Sequence, residues 1–238
     1  DGTTSRGLGD VYKRQKQSSN KIFMVEPREF YSNPQTEGSN HYQMKSANDE
    51  KQLILDKALI EFHNFKNNLE KNGVEILYLK GIEGCPDHIF PNWFTTFEDK
   101  TMQIFPMNAE NRRKEKTPEM INKLCEIYKI QNDYGYLELE GIFLESTSSM
   151  VFDRVNRIVY ATPSPRTNEN FLNEWCEKNK YDLCSFKTVS HTGSDIYHTD
   201  VLMYVGTEII GICFDVIDEK DRDSCLLYTS PSPRDVVP

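Results

Sequence analysis

Apolar positions along the chain fall into short alternating runs, broken by single stretches of helical period. Residues 21–27 (KIFMVEP) read as a short buried strand, and residues 30–43 as a polar loop rich in turn formers. Residues 48–73 then place Leu53, Ala58, Leu59, Phe62, Phe65 and Leu69 on one broad face, which predicts a long amphipathic helix. Asn48 or Asp49 is its expected cap, Gly73 its stop, and His63 within it is read as structural. VEILYLK and TMQIFPM read as strands on either side of a loop, GIEGCPDHIFPNWFTTFEDK. TPEMINKLCEIYKI carries a helix start, with Thr117 as cap and Pro118 in the first turn. GYLELE, SMVFD and RIVYA read as strands, the last two as a hairpin around residues 153–156. NENFLNEWCEKN is a third helix, followed by strands in CSFKTVS, VLMYVG and EIIGICFDVI, with Gly206–Thr207 as a hairpin turn. The order mixes β-hairpins with single helices, neither a clean βαβ alternation nor an all-β pattern.

The chain has 238 residues, 37% of them hydrophobic, with a formal net charge of −9. That length suits one large domain or two small ones. The acidic balance argues against nucleic acid and anionic membrane as partners. No apolar run approaches the roughly 20 residues of a membrane helix. The cysteines are widely spaced and form no C-x-x-C pair, so reduced thiols in a cytoplasmic-type protein are expected rather than a zinc site or a disulfide framework. The two ends stand apart. SRGLGDVYKRQ (residues 5–15) and CLLYTSPSPRD (residues 225–235) can be one DNA element translated in opposite directions, and that element resembles a sequencing-library adapter. Residues 1–15 and 225–238 are therefore expected to be translated adapter, not native, with residues 16–224 the genuine span.

Three polar clusters stand beside strand ends. PDHIFPNWF sets Asp87 in an apolar and aromatic loop, LESTSSMVFD sets Glu145 before a strand, and GSDIYHTDVLM sets His198 and Asp200 at alternate positions of a starting strand, facing the same way. A carboxylate can orient an imidazole, and further carboxylates can hold a planar cation by paired hydrogen bonds. Each position also has a plainer reading. Pro-Asp is common in turns, Glu145 also fits an exposed site, and His41, His88 and His191 start on the same footing as His198. AENRRKEK reads as a solvated charged face or a helix start, and Phe90, Trp93 and Phe94 as core. The usual nucleotide-binding and zincin motifs are absent.

MVEPREF…NPQT, PDHIFPNWFTTF, FPMNAENRRKE, LESTSSMVFDRVNRIVYATPSPRT and YHTDVLM occur in this order between Met24 and Asp215. In them the chain resembles the guanidino-group-modifying (pentein) superfamily: arginine deiminases, dimethylarginine dimethylaminohydrolases and amidinotransferases, closest to the amidinotransferase-like branch that includes citrulline-utilisation hydrolases. The resemblance implies an α/β propeller, a ring of five ββαβ units that this chain would supply in part. It implies a hydrolase of the guanidino or ureido group of arginine, citrulline or a methylated arginine, using a covalent cysteine intermediate without metal or organic cofactor. Its partner is a cationic or zwitterionic amino acid. An amidinotransferase, or a non-catalytic amino-acid-binding relative, is the alternative.

The resemblance gives His198 proton transfer, Glu145 support of that histidine, and Asp87 and Asp200 contacts to substrate nitrogens, with Asn92 a further polar position in the Asp87 loop. It also marks three departures. The family nucleophile lies in a glycine-rich C-terminal stretch that residues 16–224 do not contain; Cys213 reads as core, so the fragment is expected to be inactive. Ser146 and Ser148 stand where relatives carry glycine, the residue that permits positive φ. FPNWF is one residue shorter than the common F-P-N-N-W-F.

Overall fold

A computed structural model describes residues 16–44 and 50–229, with side chains to residue 225. The expected helix cap at Asn48 or Asp49 and the adapter stretches at residues 1–15 and 230–238 lie outside the described residues. Strand β1 (Lys21–Glu26) pairs in parallel with β2 (Glu75–Lys80). Parallel neighbours need a crossover, and helix α1 (Lys51–Lys71) supplies it. Gly73, at φ 81°, ends that crossover. The apolar face of α1 is narrower than its sequence suggests: Ala58 and Phe62 are buried, whereas Leu53 and Phe65 remain 55% and 59% exposed.

The next two units share one plan. In the first, β3 (Phe94–Thr96) is antiparallel to β4 (Thr101–Ile104), and β4 is parallel to β5 (Lys129–Asp133). Helices α2 (Glu110–Arg113) and α3 (Pro118–Cys125) lie between β4 and β5. Thr117 caps α3 by accepting the Met120 amide, with Pro118 in its first turn, as the sequence predicts. In the second, the short helix α4 (Ser146–Ser149) leads into the hairpin β6 (Met150–Asp153)–β7 (Ile158–Ala161). Helix α5 (Glu169–Asn179) then returns the chain to β8 (Asp182–Ser185), parallel to β7. A last antiparallel pair, β9 (Met203–Val205) and β10 (Ile210–Ile212), precedes α6 (Glu219–Thr229). The fold is therefore α/β, built among the described residues from two three-stranded and two two-stranded sheets. Among the described residues, the hairpin–helix–parallel-strand plan occurs twice in full and twice in part, as strand–helix–parallel strand at β1–α1–β2 and as a hairpin followed by a helix at β9–β10–α6.

Five local readings change. GYLELE is a 3-10 helix (Gly135–Glu140), not a strand. A strand would put Leu137 and Leu139 on one face, but Leu137 is buried and Leu139 is 92% exposed. The tail of the helical stretch after α3 is instead strand β5. His198 and Asp200 do not alternate along a strand: His198 caps a 3-10 turn (Thr199–Val201), and β9 begins only at Met203. Cys213 is exposed at the start of another 3-10 turn (Phe214–Val216) and is not core. Trp93 and Phe94 are buried as expected, while Phe90 is exposed. Cys225, at the edge of the presumed adapter, is buried against Cys184 of β8. Among the described residues, no helix is long and apolar enough to cross a membrane.

Candidate functional site

Glu145 sits where the chain turns from an extended segment into α4. The Ser149 hydroxyl fixes this turn, accepting the Glu145 amide at 3.0 Å and donating to the Arg166 carbonyl at 3.1 Å. The turn requires a left-handed residue at position 146. Ser146 adopts φ 42° there, fully buried, with its hydroxyl lacking a hydrogen-bond partner. A left-handed L-residue is strained, and glycine is not. Ser146→Gly is therefore expected to stabilise the chain by about 1 kcal/mol. Thermal unfolding checks this, and a loss of stability would contradict it.

The Glu145 side chain is 1% exposed, and both its oxygens are taken. Oε1 accepts the Asn108 amide at 3.0 Å. Oε2 accepts from His198 Nε2 at 2.6 Å and lies 3.7 Å from the Arg166 guanidinium. His198 is itself buried, and the 3-10 turn it caps is pinned by Thr199, whose hydroxyl donates to the Ser149 carbonyl at 2.6 Å. Burial would raise the Glu145 pKa. The hydrogen bond and charge of His198, helped by Arg166 and Arg112, overcome it and hold the carboxyl at about 2.

This has a pH consequence. The folded value lies below the ordinary 4.5, so the stabilisation is complete above about pH 4.5 and is lost as pH falls toward 2. Asp200 and Glu115 are raised and act in the opposite sense, so the Glu145 contribution is read against Glu145→Gln. Urea melts should show the wild-type chain more stable by on the order of 3 kcal/mol at pH 7, with the gap closing below pH 4.5. A gap constant from pH 7 to 3 would contradict the pairing.

Asp200 reaches the surface on one side and is crowded by protein on the other. The crowding raises its pKa, against the pull of His198 and the Ser148 hydroxyl, which donates to Oδ2 at 2.7 Å. Ser148, one of the two serines standing in glycine positions, thus holds an aspartate of the site. Asp87 is held similarly: its Oδ2 accepts from Asn33 Nδ2 at 2.6 Å and from Thr36 Oγ1 at 3.5 Å, and lies 3.8 Å from Arg112 Nη1. Among the described residues, the side-chain contacts to Asp87 and the Ser148 bond to Asp200 fall on Oδ2, and the Asp200 carboxylate also takes its own backbone amide.

The two halves of the cluster meet through the loop at residues 33–43. Thr36 donates its hydroxyl to Asp87 and offers its carbonyl to Arg166 Nη2 at 3.4 Å, while Ser39 accepts from Arg166 at 2.7 Å. Arg166 also lies 4.6 Å over the Tyr197 ring, which packs beside His198. Asn92 ends the Asp87 loop half-buried, its amide bonded to the Phe90 carbonyl.

Four participants escape the sequence reading: Asn33, Arg112, Glu115 and Arg166. Of the two readings of AENRRKEK, the helix start holds, since α2 begins at Glu110, and the solvated face does not, because Arg112 and Glu115 are 3% and 0% exposed. Their i, i+3 spacing, which lets an arginine and a glutamate pair on one helical turn, is the signal that could have found them. Arg166 has no signal of its own beyond lying in the quoted SPRT motif.

Cys85, two residues before Asp87, is buried and donates to the Asn111 carbonyl; burial pushes its thiol up to about 11, which disfavours the thiolate. Burial likewise raises Cys176 to about 12. Among the described residues, no group of three or more His, Cys, Asp or Glu could hold a metal ion.

The buried Glu–His pair lies in an α/β fold of repeated hairpin–helix units, an arrangement compatible with the guanidino-group-modifying superfamily. Residues 26–237 match the family described as N,N dimethylarginine dimethylhydrolase, eukaryotic, and the chain belongs to that family. No curated protein matches the chain. Among solved structures, it is similar to the substrate-bound N-terminal domain of ArgZ, an arginine dihydrolase from the ornithine–ammonia cycle in cyanobacteria. Identity is 14% over 89% of this chain and 73% of that one, with a TM-score of 0.66. It is similar as well to AgrE in complex with L-arginine, with 15% identity over 89% of this chain and 30% of that one and a TM-score of 0.64. These likenesses show the fold.

Proposed function

We propose that the cluster binds the guanidino or ureido group of arginine, citrulline or a methylated arginine, and that the complete protein hydrolyses it through a covalent cysteine intermediate. The observation that carries this reading is the division of labour among the carboxylates. Glu145 spends both oxygens on the protein, as a residue that orients His198 must, whereas the side-chain contacts of Asp87 and Asp200 among the described residues fall on one oxygen each. Carboxylates engaged by side chains through one oxygen suit the N–H groups of a planar guanidinium. Membership of the family supports it, as do similar structures with substrate or L-arginine bound.

In the proposed reaction, a thiolate adds to the central carbon, and the C–N bond to the leaving amine breaks as that nitrogen takes a proton from imidazolium His198. Water then gives a proton to His198 and adds to the same carbon, and the C–S bond breaks to restore the thiolate. Glu145 stabilises the imidazolium in the first half. Thiols with depressed pKa suit this chemistry, and Cys85 and Cys176 are shifted the other way. As the family resemblance implies a nucleophile in a glycine-rich stretch, we place it outside residues 16–224. The same reading completes the repeated units into a five-unit α/β propeller.

A non-catalytic amino-acid binder is the second reading, favoured by Ser148, which already bonds an oxygen of Asp200. Calorimetric titration of the chain with L-arginine, L-citrulline and L-ornithine tests the shared element. Binding of the first two but not ornithine, which lacks the group, is expected. Equal binding of all three, or of none, would overturn it.

A further inference from the structure

The Arg112 guanidinium is spread over three partners. Nη1 faces Asp87 at 3.8 Å, Nη2 donates to the Phe90 carbonyl farther along the same loop, and Nε lies 2.7 Å from Glu115 Oε1, an ion-pair contact rather than an aligned hydrogen bond. Arg112 thus ties both ends of the segment that presents Asp87. Glu115 is wholly buried, its carboxylate paired by charge with Arg112 and, among the described residues, accepting no hydrogen bond. Such a pair is weak as a source of stability, since taking two charges out of water costs about what their attraction returns. What it does supply is orientation. The Glu115 backbone is fixed where α3 begins: its carbonyl accepts the Thr117 amide at 2.8 Å, next to the cap. The carboxylate therefore projects from a rigid point. It fixes the roll of a guanidinium that would otherwise rotate about its long stem.

We propose that Glu115 is a positioning residue: by holding Arg112 Nε it aims Nη1 at Oδ2 of Asp87 and so keeps Oδ1 turned toward the substrate group. This rests on the proposed guanidino-binding role of Asp87. The surroundings are consistent with it. His88, packed by the same loop, accepts the Ile82 amide at Nδ1 at 3.3 Å, and burial together with the Arg112 charge lowers its pKa to about 4, so it stays neutral and does not compete for the carboxylates. Burial raises the Glu115 pKa, with Asp87 and Glu145 adding to it and Arg112 opposing.

The test compares the chain with Glu115→Gln, which keeps volume and removes charge, and Glu115→Asp, which keeps charge and shortens reach. Two readouts are taken: hydrogen exchange at Arg112 Nε by nitrogen NMR without ligand, and L-arginine affinity by calorimetry. Glu115→Gln is expected to speed Nε exchange and to weaken L-arginine by about tenfold or more, with Glu115→Asp between it and wild type on both. Unchanged exchange and affinity in Glu115→Gln, even with a lowered melting temperature, would reduce Glu115 to packing and overturn the proposal. If Glu115→Gln does not fold, the same readouts on Glu115→Asp decide. If the wild-type chain binds no L-arginine, the guanidino-binding reading fails, while Nε exchange still shows whether Glu115 holds Arg112.

Discussion

Replacing Glu145 with alanine is expected to destabilise the chain by about 3–5 kcal/mol, the range for removing one partner of a buried ion pair. The loss is large because one side chain serves three groups. Without it, the Asn108 amide loses its acceptor, His198 loses the carboxylate 2.6 Å away, and the Arg166 guanidinium keeps its charge in a buried site with only neutral acceptors. Removing the carboxylate should also free His198 to change rotamer, since the Glu145 bond fixes its ring. Glu145→Gln keeps the volume and one acceptor oxygen, so its cost should be smaller. Equilibrium urea unfolding at pH 7 measures both. A loss below about 1 kcal/mol for Glu145→Ala, within the range of a surface pair, would mean that the cluster is not electrostatically coupled.

The second large effect concerns ligand affinity. Asp87→Asn and Asp200→Asn should each weaken L-arginine by about 10–100-fold, the worth of a hydrogen bond to a charged group. The amide also turns a donor toward a guanidinium that can only donate. Affinity for L-citrulline, whose ureido group is neutral, should fall less than that for L-arginine. Calorimetry on the 238-residue chain reads both ligands directly. Equal losses for the two would mean that the aspartates hold the ligand by shape rather than by charge. Unchanged L-arginine affinity in both variants would remove Asp87 and Asp200 from the site.

Local chemistry was legible in the sequence where a residue type has one dominant use. Thr117–Pro118 opens a helix, Gly206–Thr207 closes the β9–β10 hairpin, and SMVFD–RIVYA pairs as β6 and β7. Position 146 carries serine where relatives carry glycine, the residue that permits positive φ, and φ there is 42°. What was not legible depends on contacts between segments distant in sequence. Arg112 and Glu115 look like solvent-facing charges because composition cannot show that Phe90 and Asp87 close over them. Asn33 in a polar loop gains meaning only where the fold brings Asp87 and Asn111 to it. GYLELE alternates like a strand, yet with Leu139 in solvent it has a single anchor and coils into a 3-10 turn. His198 and Asp200 do share one site, though by a 3-10 turn rather than a strand's alternation.

On the proposed reading, these residues form a guanidino-group site whose nucleophile lies outside residues 16–224. Release of ammonia, citrulline or ornithine from L-arginine and L-citrulline by the 238-residue chain, beside its His198→Ala variant, tests that claim most directly. The expected result is saturable binding of L-arginine with no turnover by either protein. Turnover by the chain that disappears in His198→Ala would contradict it, because the reacting thiol would then lie within this sequence.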